Sequence, residues 1–385
     1  MNLEQITKIL FLGKSRAFSE EEFLSQMKYH NIEILSEYSE DISLLVEGRM
    51  MKPSQQNLSD ELYESRGISS ISIDVLEKEL ASLIDSSTLL MSLKLSHDKE
   101  RLKSFIMNSM IPDTLFFKLI KMYSWSREDF FENDNNRDVS SAFIARFYEN
   151  IERNHNVQYA TTGFIHLVKQ AQTPELLNAI YELEPMRLHP KIEMAIAMSP
   201  SIDEAMQKRL FSRDESFIKE ALSFNKKLQL SLLKELISEV AFGKNIAKTV
   251  ELNDEKFSLL REFDIELALN ESLSLEMQKR LYTLNKDEVN LSLSLNNFID
   301  KSILLALLES KNSDILSALY TNSATDVEVL ELAYKSGNYY LELAKNETTP
   351  VEILYQLQLD SRYERAVKTN ASFGKHIQSE NIGWL

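Results

Sequence analysis

The sequence contains no cysteine and few glycines or prolines, and each shortage excludes a class of structure. Without cysteine the chain has no disulfide bond, no thiolate nucleophile and no cysteine-ligated zinc or iron–sulfur site. Only 8 of the 385 residues are glycine and 7 are proline, which leaves few positions for the tight turns of a β-rich fold. These shortages favour a helical protein, and a hydrophobic content of 43% is enough for a packed core.

Basic clusters and long apolar runs are also missing. The formal net charge is −16 and no run is rich in Lys or Arg, so the composition disfavours nucleic acid as a direct ligand. No apolar stretch approaches the roughly 18–20 residues that span a bilayer. The start, MNLEQITKILFLGKSRAF, carries Glu4 before a short apolar run and lacks a small-residue cleavage site, which predicts a first strand rather than a signal peptide. We therefore expect a soluble, cytoplasmic protein.

Strand and helix signals alternate over residues 1–84. Ser19 with Glu22 and Asp74 with Glu77 form two capping boxes, each predicting the start of a helix, and Gly67 is the expected end of another. The order is β-α-β-β-α-β-α, which predicts a small parallel sheet covered by helices. The predicted strands are Ile6–Leu12, Ile32–Leu35, Ile42–Val46 and Ile68–Ile73, and the middle helix is Leu58–Arg66.

Two segments of this region resemble the BRCT domain. Ile42–Gly48 (ISLLVEG) resembles the third strand and following glycine of bacterial ligase-type BRCT domains, and Glu64–Leu80 resembles their last strand and helix. The paired glycines usual before the second strand are replaced here by Tyr29-His30-Asn31, and the last helix has Val75 and Leu76 in place of an aromatic residue.

The resemblance implies a phosphopeptide pocket, which needs a Ser or Thr after the first strand and a Lys in the second helix. Ser15, flanked by Lys14 and Arg16, is the candidate for the first position. No Lys occurs between Ser54 and Gly67, so the second position departs from the family pattern. Two interpretations stay open: phosphate binding at these three residues, or a small structural or docking domain.

Internal repeats dominate the rest of the chain. The block MQKRL occurs at Met206–Leu210 and again at Met277–Leu281, and VEVL at Val327–Leu330 matches VEIL at Val351–Leu354. Aligning these blocks brings one polar position into phase, with gaps of 21 to 26 residues: Ser199, Asn225, Thr249, Asn270, Asn296, Asn322, Asn346 and Asn370. We expect the asparagines to close helices in the left-handed conformation. Two residues earlier the side chain is small in six repeats, with Tyr320 and Lys368 as exceptions.

Proline supports the same phase. Pro112, Pro174 and Pro350 each fall four residues after the equivalent helix-ending position, where proline fits the first turn, and Thr173 and Thr349 precede two of them as expected N-caps. Two short helices in about 24 residues resemble leucine-rich repeat variant arrays, short relatives of HEAT repeats.

The predicted fold class is therefore mostly α, with a small BRCT-like α/β domain followed by an α-solenoid of about 24-residue helical repeats. The predicted domains are residues 1–84, an irregular helical segment at 85–187 with a polar loop at Asn133–Asp138, and the repeats at 188–385.

Motifs for catalysis are not apparent in the sequence. The six histidines do not pair at helical spacing, and no phosphate-binding glycine loop or nucleophile motif occurs. Acidic pairs such as Asp203-Glu204, Asp254-Glu255 and Asp287-Glu288 fall at predicted helix starts, where they complement the helix dipole. We expect no catalytic residue, cofactor or metal.

Several exposed features are candidates for partner binding. Lys208-Arg209 and Lys279-Arg280 share one repeat phase and, with Lys226-Lys227, predict either a basic stripe or ion pairs with carboxylates of adjacent repeats. The aromatic group Tyr123, Trp125, Phe130 and Phe131 is either core or a partner groove. Trp384-Leu385 either covers the last repeat or serves as a docking peptide.

The functional hypothesis from the sequence is a non-enzymatic scaffold or adaptor. It holds a protein partner on the concave face of the solenoid and through the BRCT-like head. The alternative is a DNA-repair or replication-associated protein that binds DNA or DNA-bound proteins, because BRCT domains are common in DNA maintenance. No membrane or metal partner is expected.

Overall fold

The chain is mostly helical, with one small parallel β-sheet near the N-terminus, and the predicted fold class is confirmed. The computed structural model describes residue 3 and residues 6–66, 68–125, 133–147, 160–183 and 189–380. The chain divides into two compact units, Met1–Glu193 and Met194–Leu385. The finer domain boundaries given above, at residues 84 and 187, stay predictions.

The sheet of the first unit has four parallel strands. They are β1 (Lys8–Leu12), β2 (Glu33–Leu35), β3 (Leu44–Glu47) and β4 (Ser70–Ser72), in the order β2-β1-β3-β4. Ile9 of β1 lies opposite Ile34 of β2 on one side and opposite Leu44 of β3 on the other. The two central strands are completely buried at Leu10 and Leu45, as expected for strands covered on both faces.

A glycine follows each of the two central strands, Gly13 after β1 and Gly48 after β3. Gly13 follows β1 with φ at +97°, a conformation that L side chains rarely adopt. A Cβ atom on Gly13 would lie 2.7 Å from the Arg49 carbonyl oxygen, and one on Gly48 would lie 2.7 Å from the Leu12 carbonyl oxygen. The two chain segments leaving β1 and β3 therefore pass too close together for any side chain at either position.

Three helices flank the sheet: α1 (Glu20–Tyr29), α2 (Pro53–Arg66) and α3 (Ile73–Ser82). Ser19 caps α1 as predicted, because its hydroxyl accepts the Glu22 N–H at 3.3 Å. The predicted cap at Asp74 is wrong: α3 begins two residues earlier than that cap implies, with Ser72 at the N-cap position, and Asp74 binds Arg16 instead. Gly67 lies outside the described residues.

Six further helices complete the described part of this unit: α4 (Ser86–Ser96), α5 (Lys99–Met107), α6 (Asp113–Met122), α7 (Asp134–Phe147), α8 (Ala160–Gln170) and α9 (Pro174–Glu182). The predicted polar loop at Asn133–Asp138 is wrong, because α7 begins at Asp134. Asn133 is its cap and accepts the Asn136 N–H at 3.0 Å. A polar run that supplies its own cap starts a helix as readily as it forms a loop.

The second unit is a stack of two-helix repeats. The even-numbered helices precede the aligned polar positions, and the odd-numbered helices follow them. The boundary between the two units falls within helix α10 (Pro190–Met198). The helices that follow in the second unit are α11 (Glu204–Phe211), α12 (Ser216–Ser223), α13 (Leu230–Leu236), α14 (Val240–Thr249), α15 (Asp254–Leu259), α16 (Asp264–Ala268), α17 (Leu275–Tyr282), α18 (Asp287–Leu295), α19 (Lys301–Leu308), α20 (Ser313–Thr321), α21 (Val327–Ser336), α22 (Tyr340–Lys345), α23 (Val351–Gln358), α24 (Glu364–Lys368) and α25 (Ala371–Ser379).

The predicted asparagines form a ladder of side-chain hydrogen bonds between repeats. The Asn296 amide donates to the carbonyl oxygens of Ala268 and Asn270 at 3.0 and 2.9 Å, and its own oxygen accepts the Phe298 N–H at 2.8 Å. The same arrangement recurs at Asn225, Asn270, Asn322, Asn346 and Asn370. These bonds satisfy carbonyls that a helix end leaves without partners, and they join each repeat to the one before it.

The conformation predicted for these asparagines is wrong. Asn296, Asn322, Asn346 and Asn370 have φ between −71° and −77° and extended ψ, so none is left-handed. Asparagine is required here for its two-headed amide, which donates across the repeat boundary and accepts within its own turn. The phase was correct, but the physical reason was not.

Small side chains allow the even-numbered helices to pack closely. Ala247, Ala268 and Ser294, each two residues before a ladder position, are completely buried where successive even-numbered helices meet. Gly243 of α14 shows how tight this contact is, since a Cβ atom there would lie 2.1 Å from the Phe263 ring. A side chain at Gly243 would therefore push the two helices apart and stretch the ladder.

The repeated MQKRL block supplies a second connection. Its glutamines, Gln207 and Gln278, are buried in α11 and α17. The Gln278 amide donates to the Phe298 carbonyl oxygen at 3.0 Å, and its oxygen accepts the Asp300 N–H at 2.7 Å. Gln207 bonds Lys227 and Gln229 in the same way. The glutamine of each block therefore makes the same two hydrogen bonds to the next repeat, which explains why this residue is the same in both blocks.

The threonine and proline predictions are only partly correct. Pro174 occupies the first turn of α9 and Thr173 its N-cap position, although the Thr173 side chain makes no capping bond. Pro350 is itself at the N-cap position of α23. Thr349 does not cap that helix; its hydroxyl donates to the Leu343 carbonyl oxygen at 2.7 Å. Thr349 thus ties the turn back to the preceding helix.

The ladder gives a direct test of what stabilises the stack. Replacing Asn296 by Asp keeps the shape but removes the donor and directs a carboxylate at two carbonyl oxygens. We expect Asn296→Asp to lower the free energy of unfolding by about 4 kcal/mol, the cost of an uncompensated buried charge. Urea unfolding followed by circular dichroism measures it. The matched control is Asn297→Asp, at the exposed neighbouring residue, which changes the net charge equally. Equal midpoints for the two variants would show that the ladder contributes nothing.

Candidate partner-binding surface

The six basic residues predicted to bind a partner are all exposed, and most lie beside a carboxylate. Lys226 pairs at 3.4 Å with Glu271, which lies two repeats further along the chain. Arg280 lies 3.8 Å from Asp254 of the preceding repeat. Within their own helices Lys208 pairs with Glu204 at 2.6 Å and Lys279 with Glu276 at 2.9 Å. These contacts favour ion pairing, the alternative to a basic stripe.

Two of the six basic residues differ from this pattern. Lys227 has no ion-pair partner in the part of the chain that the structure describes, whereas Arg209 makes a contact of its own. Exposed ion pairs contribute little to stability and rearrange easily. Partner binding at these six residues therefore stays a prediction, with Lys227 as the exposed cation that no carboxylate neutralises.

The loop after β1, predicted from the BRCT resemblance to bind phosphate, already holds a carboxylate. Glu77 of α3 is completely buried and accepts the backbone N–H groups of Arg16, Ala17 and Phe18 at 2.9, 2.9 and 3.2 Å. The Arg16 guanidinium is bound to Asp74 at 3.0 Å. Because consecutive amides of this kind are an anion site, Glu77 occupies the donors that a phosphate at Ser15 would use. The phosphate prediction at Lys14, Ser15 and Arg16 stays untested.

Trp125 lies beside Tyr123, with ring centroids 4.8 Å apart and an edge-to-face geometry. Both rings line a cavity of about 240 Å³ together with Phe117, Ile120 and Leu183. Burial, followed by the charges of Asp138 and Glu100, raises the pKa of the Tyr123 phenol. The predicted partners Phe130 and Phe131 lie outside the described residues, as do Trp384 and Leu385. Core and groove therefore both stay open for Trp125.

A group of tyrosines that the sequence analysis missed forms an aromatic surface on the second unit. We call Tyr320, Tyr334, Tyr339, Tyr340 and Tyr363 the tyrosine surface. The ring centroids of Tyr320 and Tyr339 are 4.5 Å apart, those of Tyr334 and Tyr340 are 5.3 Å apart, and those of Tyr340 and Tyr363 are 5.7 Å apart. All five rings are half-buried. The three contacts form two groups of rings, Tyr320 with Tyr339 and Tyr340 with Tyr334 and Tyr363, which the adjacent residues Tyr339 and Tyr340 connect through the backbone.

The phenol groups of this surface are available to a partner. None of the five hydroxyls makes a hydrogen bond within the described residues, and none is buried. Burial, followed by the neighbouring Tyr339, raises the pKa of Tyr320. The protonated phenol can donate a hydrogen bond to a partner. The signal was present in the sequence, because six of the fourteen tyrosines fall between residues 320 and 363.

One member of the tyrosine surface has a strained backbone. Tyr339 has φ at +59°, in the left-handed region, where a bulky residue costs about 1–2 kcal/mol. The other residues in this region in the second unit's described turns are Asp214, Asn285 and Gly337, which are types that adopt it easily. A Tyr at this position therefore costs stability that Asn or Gly would not.

Comparison with protein-family models, with curated proteins and with solved structures found no match. The resemblances to BRCT domains and leucine-rich variant repeats therefore rest on the residues quoted above. Among the described residues, no helix combines the length and apolarity needed to cross a membrane. No three acidic or histidine side chains in those residues come together in a way that could hold a metal ion.

The buried Glu77 carboxylate gives a test of the loop after β1. Glu77→Gln keeps the shape but weakens three hydrogen bonds that the charge strengthens and directs an amide donor at backbone donors. We expect the free energy of unfolding to fall by about 2 kcal/mol. Urea unfolding measures it, with the exposed Glu21→Gln as the control of equal charge. An unchanged midpoint for Glu77→Gln would contradict this role.

Proposed function

We propose that this chain is a non-enzymatic scaffold that binds a protein partner through the surface of its helical repeats. In this proposal the N-terminal sheet region is BRCT-like and the repeats are of the leucine-rich variant type. The ladder joins neighbouring repeats through backbone and buried amides, so the outward side chains are not needed to hold the stack together. Those side chains are free to specify a partner.

The observation that carries the proposal is the tyrosine surface. Tyr side chains present a large contact area with a polar end and lose little conformational entropy on binding, which is why they are frequent in protein-binding surfaces. Five half-buried rings in two contacting groups, with open hydroxyls, have these properties. Tyr320, Tyr334, Tyr340 and Tyr363 also pack against the core of the second unit, but unlike the completely buried Phe116 and Phe143 of the first unit they stay partly exposed.

Affinity capture from the native cell extract tests the scaffold proposal. The full chain is immobilised, the extract is used with and without nuclease, and mass spectrometry identifies the retained proteins. We expect at least one protein whose retention survives nuclease and is abolished by an excess of the soluble chain. That competition separates specific capture from adhesion to the matrix.

The same experiment distinguishes the scaffold from the DNA-associated alternative. Retention that disappears with nuclease would contradict a scaffold for proteins and support a role at DNA in spite of the net charge of −16. Retention that the soluble chain does not compete away would contradict both functions.

A further inference from the structure

We propose that the tyrosine surface binds an arginine-rich, positively charged segment of a partner protein, and this inference rests on the proposed scaffold function. Guanidinium groups stack on aromatic faces and bind carboxylates through a planar fork of donors. The occupant is therefore defined by two features that must occur together, aromatic faces and acidic groups at their edge.

Acidic side chains lie at the edge of the stack where Tyr339 and Tyr363 lie. The even-numbered helices α20, α22 and α24 each carry one acidic residue in the first turn: Asp314, Glu342 and Glu364. Tyr339 and Tyr363 immediately precede two of these helices, and parallel stacked helices begin at one edge. Asp314 and Glu342 have no ion-pair partner in the part of the chain the structure covers, and the Glu342 carboxylate accepts one hydrogen bond, from the Ser317 hydroxyl at 2.8 Å.

The local charge is strongly negative. Between residues 309 and 364 the sequence has ten acidic and four basic residues, a net charge of −6. This stretch of 56 residues holds more than a third of the net charge of −16 carried by the whole chain. A negative field around the tyrosine surface attracts a cationic segment and repels the phosphates of a nucleic acid.

Among the described residues, the tyrosine surface itself contains an example of the contact that we infer. The Arg362 guanidinium lies 5.1 Å from the Tyr363 ring centroid and at the same time binds the Asp360 carboxylate at 2.6 Å. This shows that a ring of the tyrosine surface accepts a guanidinium held by a neighbouring carboxylate. Tyr339 and Tyr340 present the same chemistry with no arginine of the described chain stacked on them.

Tyr339 is the residue most suited to a role in binding. Its left-handed backbone is unfavourable for a bulky side chain, and its ring contacts Tyr320, one of the two residues that break the rule of small side chains two positions before the ladder. Two departures from the local rules of the repeat thus meet in one ring contact. Backbone strain at a partly exposed tyrosine supports a functional role for that residue.

The experiment uses fluorescence anisotropy of a labelled twelve-residue peptide that alternates arginine and glycine, titrated with the full chain at low ionic strength. We expect saturable binding, and weaker binding of the equivalent lysine–glycine peptide, because lysine lacks the planar fork. Tyr339→Asn should weaken arginine-peptide binding about fivefold, the weight of one cation–π contact. Tyr339→Phe, which keeps the ring, should retain most of it.

Stability separates the binding role from a structural one. Asn tolerates the left-handed backbone, so Tyr339→Asn should leave the thermal midpoint nearly unchanged while binding falls. The matched control is Tyr282→Asn, at a half-buried tyrosine of α17 outside the tyrosine surface, which should bind like the wild type. Equal affinity for both peptides, equal loss in both variants, no binding, or tighter binding of a single-stranded oligonucleotide would each overturn the inference.

Failure of this inference differs from failure of the scaffold proposal. If the wild-type chain captures a partner specifically and Tyr339→Asn captures it equally well, the partner binds elsewhere and only the inference is lost. If the wild-type chain captures nothing specifically, the scaffold proposal is lost, whatever the peptides do.

Discussion

The second unit depends on one interaction, the asparagine amide that donates to two carbonyl oxygens of the preceding repeat. A helix of eight or nine residues leaves a large share of its carbonyls without intrahelical partners, and in a close stack these groups are shielded from water. The ladder supplies the missing donors, as at Asn322 and Asn346. Without it, each turn between repeats would bury unsatisfied acceptors, and short helices would be a poor way to form a stack.

The ladder also determines what the neighbouring positions must be. An amide reaches only about 3 Å, so the helices that it joins must approach closely. Small residues such as Ala268 and Ser294 make that approach possible, and the extended backbone of the asparagine points the amide across the boundary. The period follows from the same geometry, since one rung needs two helices and two turns. Thr249 shows that a repeat can do without a full rung, because its hydroxyl has only one proton to donate and lies 2.8 Å from the Asn245 carbonyl oxygen of its own helix and 3.3 Å from that of Ser223.

How far the sequence predicts this structure can be judged at particular residues. The phase of the asparagines, the small residues before them and the parallel sheet followed from periodicity, because periodicity reflects packing that every repeat shares. The role of Asn296 did not follow, since a partner 26 residues away cannot be seen in local propensity. Asp74 and Asn133 failed for a related reason: several polar residues in a row could each cap a helix, and tertiary contacts such as Asp74 with Arg16 decide between them. The tyrosine surface was missed because its rings belong to three helices and two turns, and the sequence does not show which of them come into contact.

The ladder and the tyrosine surface obey different constraints, and Tyr320 belongs to both. Its backbone carbonyl accepts the Asn346 amide at 2.9 Å, so the rung of the ladder is intact. Its side chain occupies a position that is small in the repeats before it, and the ring turns towards the strained Tyr339. A ladder built on backbone carbonyls tolerates such a change because the side chain plays no part in the rung. The repeat can therefore gain an aromatic surface at Tyr320 without losing the bonds that hold its neighbours, and this independence is what allows a stack of similar repeats to carry one distinctive surface.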